Sequence, residues 1–282
     1  MNLLVTGGTG QLGRAIVRLG TGRHEVRPLG SSDLDATDFA SVQRVIAETG
    51  PDLVIHAGAM TDVDGCEHDP VLAYRVNALG TQHLASVTAT AGIPMVYVST
   101  NFVFDGVLDR PYTEFDTTNP ISIYGSSKLA GERAVTALNP RHYIVRTAMV
   151  YDESGRNFVN SMLRLAGEHP KLTIVDDQFG NPTYAGDLAA GILQLIEHRA
   201  YGTYHLTNNG VASWYQWARK IFELSGIAIP VEPIPASAFE RAASPPANGA
   251  LANLAAAGLG IELTQWENAL ARCLSRRSEQ SE

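Results

Sequence analysis

Cysteine is scarce in this chain of 282 residues, which contains only Cys66 and Cys273. The two are far apart, and neither belongs to a CxxC or histidine-paired pattern, so the sequence predicts neither a disulfide scaffold nor a metal site. Cys66 is interpreted as an inert small residue. Free cysteines of this kind are typical of a reducing compartment, and we expect a cytoplasmic protein.

Long apolar runs and an excess of positive charge are also missing. No window approaches the ~18 consecutive apolar residues of a membrane span, and the first residues lack the pattern of a secretory signal. The formal net charge of −8 argues against a surface that binds nucleic acid. A 45% hydrophobic composition indicates a globular protein with a sizeable core. The expected partner is a small-molecule substrate, without nucleic acid or membrane; a homodimer is left open.

Short β-branched runs alternate with helical patterns through the first two-thirds of the chain. Strands are predicted from Leu3 to Val5, Glu25 to Leu29, Leu53 to His56, Met95 to Ser99 and Tyr143 to Arg146. The alternation predicts an α/β fold with a Rossmann-type doubly wound parallel sheet. We expect an NAD(P)-binding domain over residues 1–151, to which later segments return, and a smaller C-terminal α/β substrate-binding lobe over residues 152–282.

A glycine-rich segment follows the first predicted strand and precedes a predicted helix. Gly7, Gly10 and Gly13 allow a tight turn and a close approach of the backbone to a pyrophosphate, while Gln11 and Leu12 begin the helix. After the third strand, the small residues Ala57, Gly58 and Ala59 leave room for the same ligand. The pattern predicts a dinucleotide site.

The end of the second strand bears on the choice of cofactor. Sites specific for NAD usually place a carboxylate there, but this chain has Ser31 and Ser32. The sequence therefore favours NADPH, with NADH as the alternative because Asp33 follows closely. Asp35 and Ala36 are predicted either to meet the adenine or to cap the next helix.

Tyr124 and Lys128 are four residues apart at the start of a predicted helix and therefore share a helix face. A phenol titrates near ~10 in water, and a neighbouring ammonium helps it to exchange protons at neutral pH. Thr100 ends a predicted strand and supplies a hydroxyl at the sheet rim. Together with the dinucleotide site, these residues predict hydride transfer at a carbonyl group.

The chain resembles the extended short-chain dehydrogenases/reductases, and within them the RmlD-like dTDP-4-dehydrorhamnose reductases, over nearly its whole length. The matching segments are Gly7 to Gly13, Asp62 to Asp64, Val76 to Ala78, Ser99 to Gly106, Tyr124 to Glu132, Arg156 to Phe158 and Asp176 to Thr183. The resemblance implies that Thr100, Tyr124 and Lys128 are catalytic, with Tyr124 as the proton donor. It also implies that Asn77 belongs to the cofactor site, and that the substrate contacts Val63, Asn101, Phe102, Met149, Asn157 and Phe158.

Four residues, in three segments, depart from the family pattern. Asn101 stands in place of an Asp, Met149 in place of a Trp that packs on the sugar, and Ser244 with Pro245 in place of two Arg. We expect these losses to disfavour dTDP-4-dehydrorhamnose as the substrate, unless Arg156, Lys171 or Arg241 compensates.

The predicted function is NADPH-dependent reduction of a keto group on a deoxysugar nucleotide. Two alternatives are kept. One is a sugar-nucleotide epimerase with tightly bound NAD, and the other is a non-catalytic cofactor-binding subunit like the β subunit of methionine adenosyltransferase.

Overall fold

The computed structural model describes residues 1–279, in which a parallel sheet is flanked by helices on both faces. The strands are β1 (Asn2–Thr6), β2 (Glu25–Leu29), β3 (Leu53–His56), β4 (Met95–Thr100), β5 (His142–Thr147), β6 (Val150–Tyr151), β7 (Leu172–Val175), β8 (Phe179–Gly180), β9 (Thr183–Tyr184), β10 (Gly202–His205), β11 (Ala212–Ser213) and β12 (Val231–Ile234). The central sheet has the order β10-β5-β4-β3-β1-β2, and all its strands are parallel. The predicted doubly wound sheet is confirmed.

The helices connect these strands across the sheet. They are α1 (Gln11–Gly20), α2 (Phe39–Thr49), α3 (Val63–His68), α4 (Pro70–Tyr74), α5 (Gly80–Thr90), α6 (Ile123–Leu138), α7 (Phe158–Glu168), α8 (Ala185–Leu195), α9 (Trp214–Leu224), α10 (Leu254–Ala257) and α11 (Trp266–Glu279). Within residues 1–279, no helix is both long and apolar enough to cross a bilayer.

Alternation along the strands places apolar side chains on both faces of the sheet. In β1, Leu3 and Val5 pack with Ile16 of α1 and Ile192 of α8, whereas Leu4 packs in a second cluster with α2 and α5. Successive side chains of a strand point to opposite faces, so a sheet that is covered on both sides needs a continuous apolar run. Because the six strands are all parallel, their carboxyl ends lie at the same edge of the sheet.

Apolar residues recur at helical spacing from Val71 to Ala91 and predict one continuous helix. The structure contradicts this prediction in the middle of the segment. The segment Arg75–Leu79 is a π-helix between α4 and α5. The carbonyl of Asn77 accepts hydrogen bonds from the hydroxyls of Thr81 at 2.8 Å and Tyr97 at 3.3 Å. Such local widening of a helix often occurs at functional sites.

A third apolar cluster lies beyond residue 150 and packs α7, α9 and α11 together. Tyr151, Val159, Trp217 and Trp266 are buried in it. Two short sheets, β7 with β12 and β8 with β11, flank this cluster. Later segments also return to the central sheet, since β10 pairs with β5 and α8 packs on α1. This lobe covers the carboxyl edge of the sheet, where ligands of such folds bind.

Candidate active site

A cleft of about 1180 Å³ lies between the carboxyl edge of the central sheet and the C-terminal lobe. It brings together most of the residues predicted for the site. The predicted residues that line it are Gly7, Gly10, Gln11, Leu12, Gly13, Ser31, Asp35, Ala36, Ala57, Gly58, Ala59, Val63, Thr100, Asn101, Phe102, Tyr124, Lys128 and Met149. Ser32, Asn77, Asn157 and Phe158 are not part of its wall.

The glycine-rich turn is built from close backbone contacts. Gly7 has a φ of 68°, and a Cβ at Gly13 would lie 2.2 Å from the carbonyl oxygen of Gly7. Gly10 precedes α1 without a side-chain cap. The first N–H groups of α1 are therefore available to an anion, and the partial positive charge of the helix end favours a phosphate. This geometry fits the pyrophosphate of a dinucleotide.

The tip of β2 presents neutral groups to the cleft. Gly30 and Ser31 line it. The carboxylate of Asp33 instead accepts a hydrogen bond of 2.7 Å from the backbone N–H of Gly30, and Asp33 is not part of the cleft wall. Gly30 and Ser31 therefore bring no carboxylate to a 2′-phosphate at this tip, and the carboxylate that does line the cofactor end is Asp35.

Asp35 does not cap the following helix, so one of its two predicted roles is wrong. It accepts hydrogen bonds of 2.8 Å from the backbone N–H and the hydroxyl of Thr37, which lower the pKa of its carboxyl group. The cap of α2 is Asp38, whose side chain accepts from the N–H of Ala40 at 3.0 Å. Asp35 thus shapes a local turn at the cleft wall.

Tyr124 lies in the first turn of α6, which begins deep in the cleft. Ser122 caps this helix by accepting from the N–H of Gly125 at 3.1 Å. A Cβ at Gly125 would lie 2.1 Å from the carbonyl oxygen of Phe102, so glycine allows the helix to approach the end of β4. The ring of Phe102 packs edge-on against Tyr124, with the centroids 5.4 Å apart. Tyr124 is therefore held close to the end of β4.

Burial shifts the pKa of both titratable groups at this centre. It raises the pKa of the Tyr124 phenol to about 12, against a hydrogen bond with Thr100 that lowers it. It lowers the pKa of the Lys128 ammonium to about 7. The ammonium donates to the carbonyl of Val98 at 2.7 Å and lies 4.1 Å from the ring centroid of Tyr97. The phenol is thus fully protonated at neutral pH, as a proton donor must be.

A buried ion pair stands behind Lys128, and the sequence reasoning missed it. Glu132, one helical turn further along α6, accepts two hydrogen bonds from Arg146, at 2.9 and 2.7 Å. It also accepts from the hydroxyl of Ser99 at 2.5 Å. The charge of Glu132 partly opposes the lowering of the Lys128 pKa. The four-residue spacing from Lys128 to Glu132 is the signal that could have revealed it.

Asn77 lies behind the cleft wall and positions α6. Its side chain accepts from the N–H of Met60 at 2.8 Å and donates to the hydroxyl of Ser127 at 3.0 Å. That hydroxyl donates in turn to the carbonyl of Tyr124 at 2.8 Å. Asn77 therefore reaches the reactive centre through Ser127.

Asn157 and Phe158 are not part of the cleft wall, but each contacts a residue that lines it. Asn157 caps α7 by accepting from the N–H of Asn160 at 3.0 Å, and donates to the side chain of Gln11 at 3.1 Å. Phe158 packs between Trp214 and Trp217, with centroid distances of 4.8 and 4.7 Å. Trp214, which the sequence reasoning missed, lines the cleft.

Known proteins resemble this chain over almost all its length. The family described as RmlD substrate binding domain matches residues 1–279. The chain is 42% identical to the dTDP-4-dehydrorhamnose reductase of Mycobacterium tuberculosis, over 97% of this chain and 92% of that protein. It is also 42% identical to the dTDP-4-keto-6-deoxy-D-glucose reductase of Streptomyces niveus, over 82% of each.

A solved structure gives the same result. The crystal structure of the dTDP-4-dehydrorhamnose reductase of Bacillus anthracis in complex with NADP has a TM-score of 0.95 and is 36% identical, covering 98% of this chain and 99% of that one. The chain belongs to the RmlD family. The predicted resemblance is confirmed.

In this member of the RmlD family, two of the departures from the family pattern are tied to the C-terminal lobe. Met149 has a left-handed φ of 47°, and its sulfur lies 2.6 Å from where a Cβ at Gly180 would be. The amide of Asn101 donates to the carbonyl of Gly249 at 2.9 Å, and a Cβ at Gly249 would lie 2.2 Å from that nitrogen. Both glycines therefore leave room for these side chains.

The three candidate compensating cations have different locations in the structure. Arg156 and Arg241 line the cleft. Lys171 pairs with Glu232 at 3.0 Å, outside the cleft wall. Cys66 is buried, and burial raises the pKa of its thiol to about 11, in agreement with its interpretation as an inert residue.

Proposed function

We propose that this chain is an NADPH-dependent reductase of the keto group of a dTDP-linked deoxysugar. The observation that carries the proposal is a single cleft that contains the uncapped glycine-rich start of α1 together with Tyr124, Lys128 and Thr100. The names of the relatives support the substrate class, since the proteins of Mycobacterium tuberculosis and Streptomyces niveus are both named as reductases of a dTDP-linked keto sugar.

The residues fit a bound dinucleotide at its pyrophosphate and at its adenosine ribose. The N–H groups at the start of α1 would hold the pyrophosphate, and Gly30 with Ser31 would accommodate a 2′-phosphate without a facing carboxylate. The relative from Bacillus anthracis binds NADP, which supports NADPH. When bound, the nicotinamide supplies a hydride for the carbonyl carbon of the substrate.

The chain itself supplies the proton and the electrostatic environment. Thr100 donates a hydrogen bond to the substrate carbonyl oxygen and so orients it. Tyr124 transfers its phenolic proton to that oxygen as the alcohol forms, while the nearby Lys128 ammonium stabilises the resulting phenolate. The alcohol therefore takes its new hydrogen on carbon from the cofactor and its hydroxyl proton from Tyr124.

The substrate side suggests a keto sugar other than dTDP-4-dehydrorhamnose. Asn101 brings no carboxylate, and Met149 no aromatic platform. Each lost contact costs on the order of 1–3 kcal/mol, by analogy with unmade charged hydrogen bonds and aromatic contacts. Together these losses predict that kcat/KM with dTDP-4-dehydrorhamnose is lower than with a differently decorated dTDP-linked keto sugar.

The test is NADPH consumption with a panel of substrates that includes dTDP-4-dehydrorhamnose and dTDP-4-keto-6-deoxyglucose. We expect consumption with at least one dTDP-linked keto sugar. If the protein binds NADPH but none of the keto sugars in the panel supports its consumption, the non-catalytic, regulatory alternative is favoured. If it interconverts sugar nucleotides with copurified NAD and without net consumption, it is an epimerase. Efficient turnover of dTDP-4-dehydrorhamnose would refute the expectation that Asn101 and Met149 disfavour this substrate.

A further inference from the structure

Residues 236–249, which we call the strap, reach the cleft wall through Arg241 and are pinned at several points. The N–H of Ala236 donates to Asp177 at 2.7 Å, and the N–H of Ala243 donates to Asp64 of α3 at 2.9 Å. At the far end, the N–H of Gly249 donates to the carbonyl of Phe179 at 2.8 Å. The strap is therefore anchored to the sheet side and to the C-terminal lobe.

Arg241 is the cation that the strap brings to the cleft wall. Its guanidinium forms two hydrogen bonds of 3.1 Å with Asp64, one from Nε and one from Nη2. The Arg241 side chain is 29% exposed and that of Asp64 is 39% exposed, so the pair lies at the mouth of the cleft. A surface ion pair of this kind contributes little stability, because water screens it.

Hydrogen bonding to Asp64 engages only one edge of the guanidinium. A guanidinium has five N–H donors, and Nε with one hydrogen of Nη2 accounts for two of them. The other edge, formed by Nη1 and Nη2, is suited to a second bidentate contact. That geometry matches two oxygens of a phosphate, and Asp64 fixes its orientation in advance.

Three other cations of the described cleft wall, Arg14, Arg75 and Lys128, lie at its cofactor end or its reactive centre. Arg14 donates to the carbonyl of Thr9 at 2.8 Å, beside the glycine-rich turn. Arg75 interacts with Asp35, and Lys128 donates to the carbonyl of Val98 near the end of β4. Arg156 also lines the cleft, next to Gly155, which lies near Arg14. Arg241 is the lining cation that the strap itself contributes, since Ser244 and Pro245 of the strap bring no charge.

We propose that Arg241 binds the diphosphate of the nucleotide-sugar substrate through its Nη1/Nη2 edge, with Asp64 holding the guanidinium in place. The inference rests on the proposed function, since it requires a substrate that carries a diphosphate. Arg241 is then a binding residue that determines specificity for nucleoside diphosphates, and it takes no part in proton or hydride transfer.

Binding measurements with dTDP and with thymidine test this role without any turnover. Arg241→Gln should weaken dTDP binding by roughly 10- to 100-fold, the range for a lost hydrogen bond to a charged group, and leave thymidine binding unchanged. Arg241→Lys, which keeps the charge but not the fork, should lose less. Arg164→Gln is the matched control, because Arg164 forms an exposed ion pair with Glu168 on α7, away from the cleft. NADPH affinity should be the same in all four proteins.

Two results for the variants would overturn the inference. One is wild-type affinity of Arg241→Gln for dTDP. The other is an equal loss of dTDP and thymidine binding, which would show that Arg241 only anchors the strap. Failure of the proposed function is distinguished by the wild-type protein itself: if that protein binds NADPH but not dTDP, the substrate class is wrong, and the role of Arg241 falls with it.

Discussion

The two halves of the cleft are built in different ways. At the cofactor end, backbone atoms of neighbouring residues make the site, as in the turn from Gly7 to Gly13. At the substrate end, side chains converge from segments far apart in the chain: Asn101 contacts Gly249, and Arg241 contacts Asp64. A site made from local backbone requires glycine at a few positions, because a side chain there would collide with neighbouring backbone atoms. A site made from distant side chains can be altered by substitution of one residue at a time. With this arrangement, a chain can keep its cofactor site while residues on the substrate side change.

Substitution at the reactive centre should separate chemistry from cofactor binding most strongly. Tyr124→Phe should reduce kcat by about 10²- to 10⁴-fold, because the general acid is lost, and leave the Kd for NADPH nearly unchanged. Single-turnover kinetics and a cofactor titration measure the two effects. Tyr74→Phe, at an exposed position on α4, is the control. If Tyr124→Phe reduces substrate at the wild-type rate when chemistry limits turnover, Tyr124 is not the proton donor.

A charge added to the cofactor end should change its preference without affecting the substrate end. Gly30→Asp places a carboxylate where the 2′-phosphate is expected, and a Cβ there has ordinary contacts, the nearest at 3.4 Å from Asp33. Repulsion should weaken NADPH binding by about 10- to 100-fold relative to NADH. Ser32→Asp adds the same charge at a position outside the cleft wall and should have a smaller effect. Equal shifts in both variants, measured by titration with both dinucleotides, would contradict this placement of the cofactor.

A change to the contact between Asn101 and Gly249, which anchors the strap, should affect the substrate end and leave the cofactor end unchanged. Asn101→Asp removes the donor to the carbonyl of Gly249 and places a carboxylate oxygen against it, at a cost of about 1–3 kcal/mol in the free energy of unfolding. Denaturant unfolding measures that loss, and the Kd for NADPH should not change. Gly249→Ala, whose Cβ would collide with the Asn101 amide, should act in the same direction. Full stability of both variants would show that this contact does not anchor the strap.

The smallest expected effect is the uptake of less than one proton by the protein when the cofactor binds. Lys128, with a pKa of about 7 in the free protein, is mostly neutral at pH 8, and the negative charges of a bound NADPH should raise this pKa. Cofactor binding should therefore take up protons between pH 7 and the raised pKa. Calorimetry at pH 8 in buffers of different ionisation enthalpy measures the uptake, which Lys128→Met should abolish. Binding enthalpies that do not depend on the buffer would show that Lys128 is already charged in the free protein.

The same contrast explains which features the sequence could reveal. The five predicted strands and the glycine-rich turn depend on local pattern, and the structure contains them. The remaining strand of the central sheet, β10, has only a weak strand pattern in its sequence and is defined by its pairing with β5. Trp214 looks like an ordinary first residue of a helix, and only the folded chain places it at the cleft.

Contacts between side chains that are far apart in the sequence were the hardest features to predict. The contact between Arg241 and Asp64 joins residues 177 positions apart, and no spacing rule connects them. Asn157 matches a family segment, yet its side chain caps a helix, because a motif fixes the type of residue and not the direction in which its side chain points.

Isotope transfer tests the central claim most directly. The protein is supplied with NADPH that carries deuterium at the transferable position of nicotinamide C4, together with the dTDP-linked keto sugar that it turns over best, and the product is analysed by mass spectrometry. The account predicts one deuterium on the new carbinol carbon for each NADPH consumed, and loss of this product in Tyr124→Phe. An unlabelled product, or interconversion of sugar nucleotides without consumption of NADPH, would contradict it.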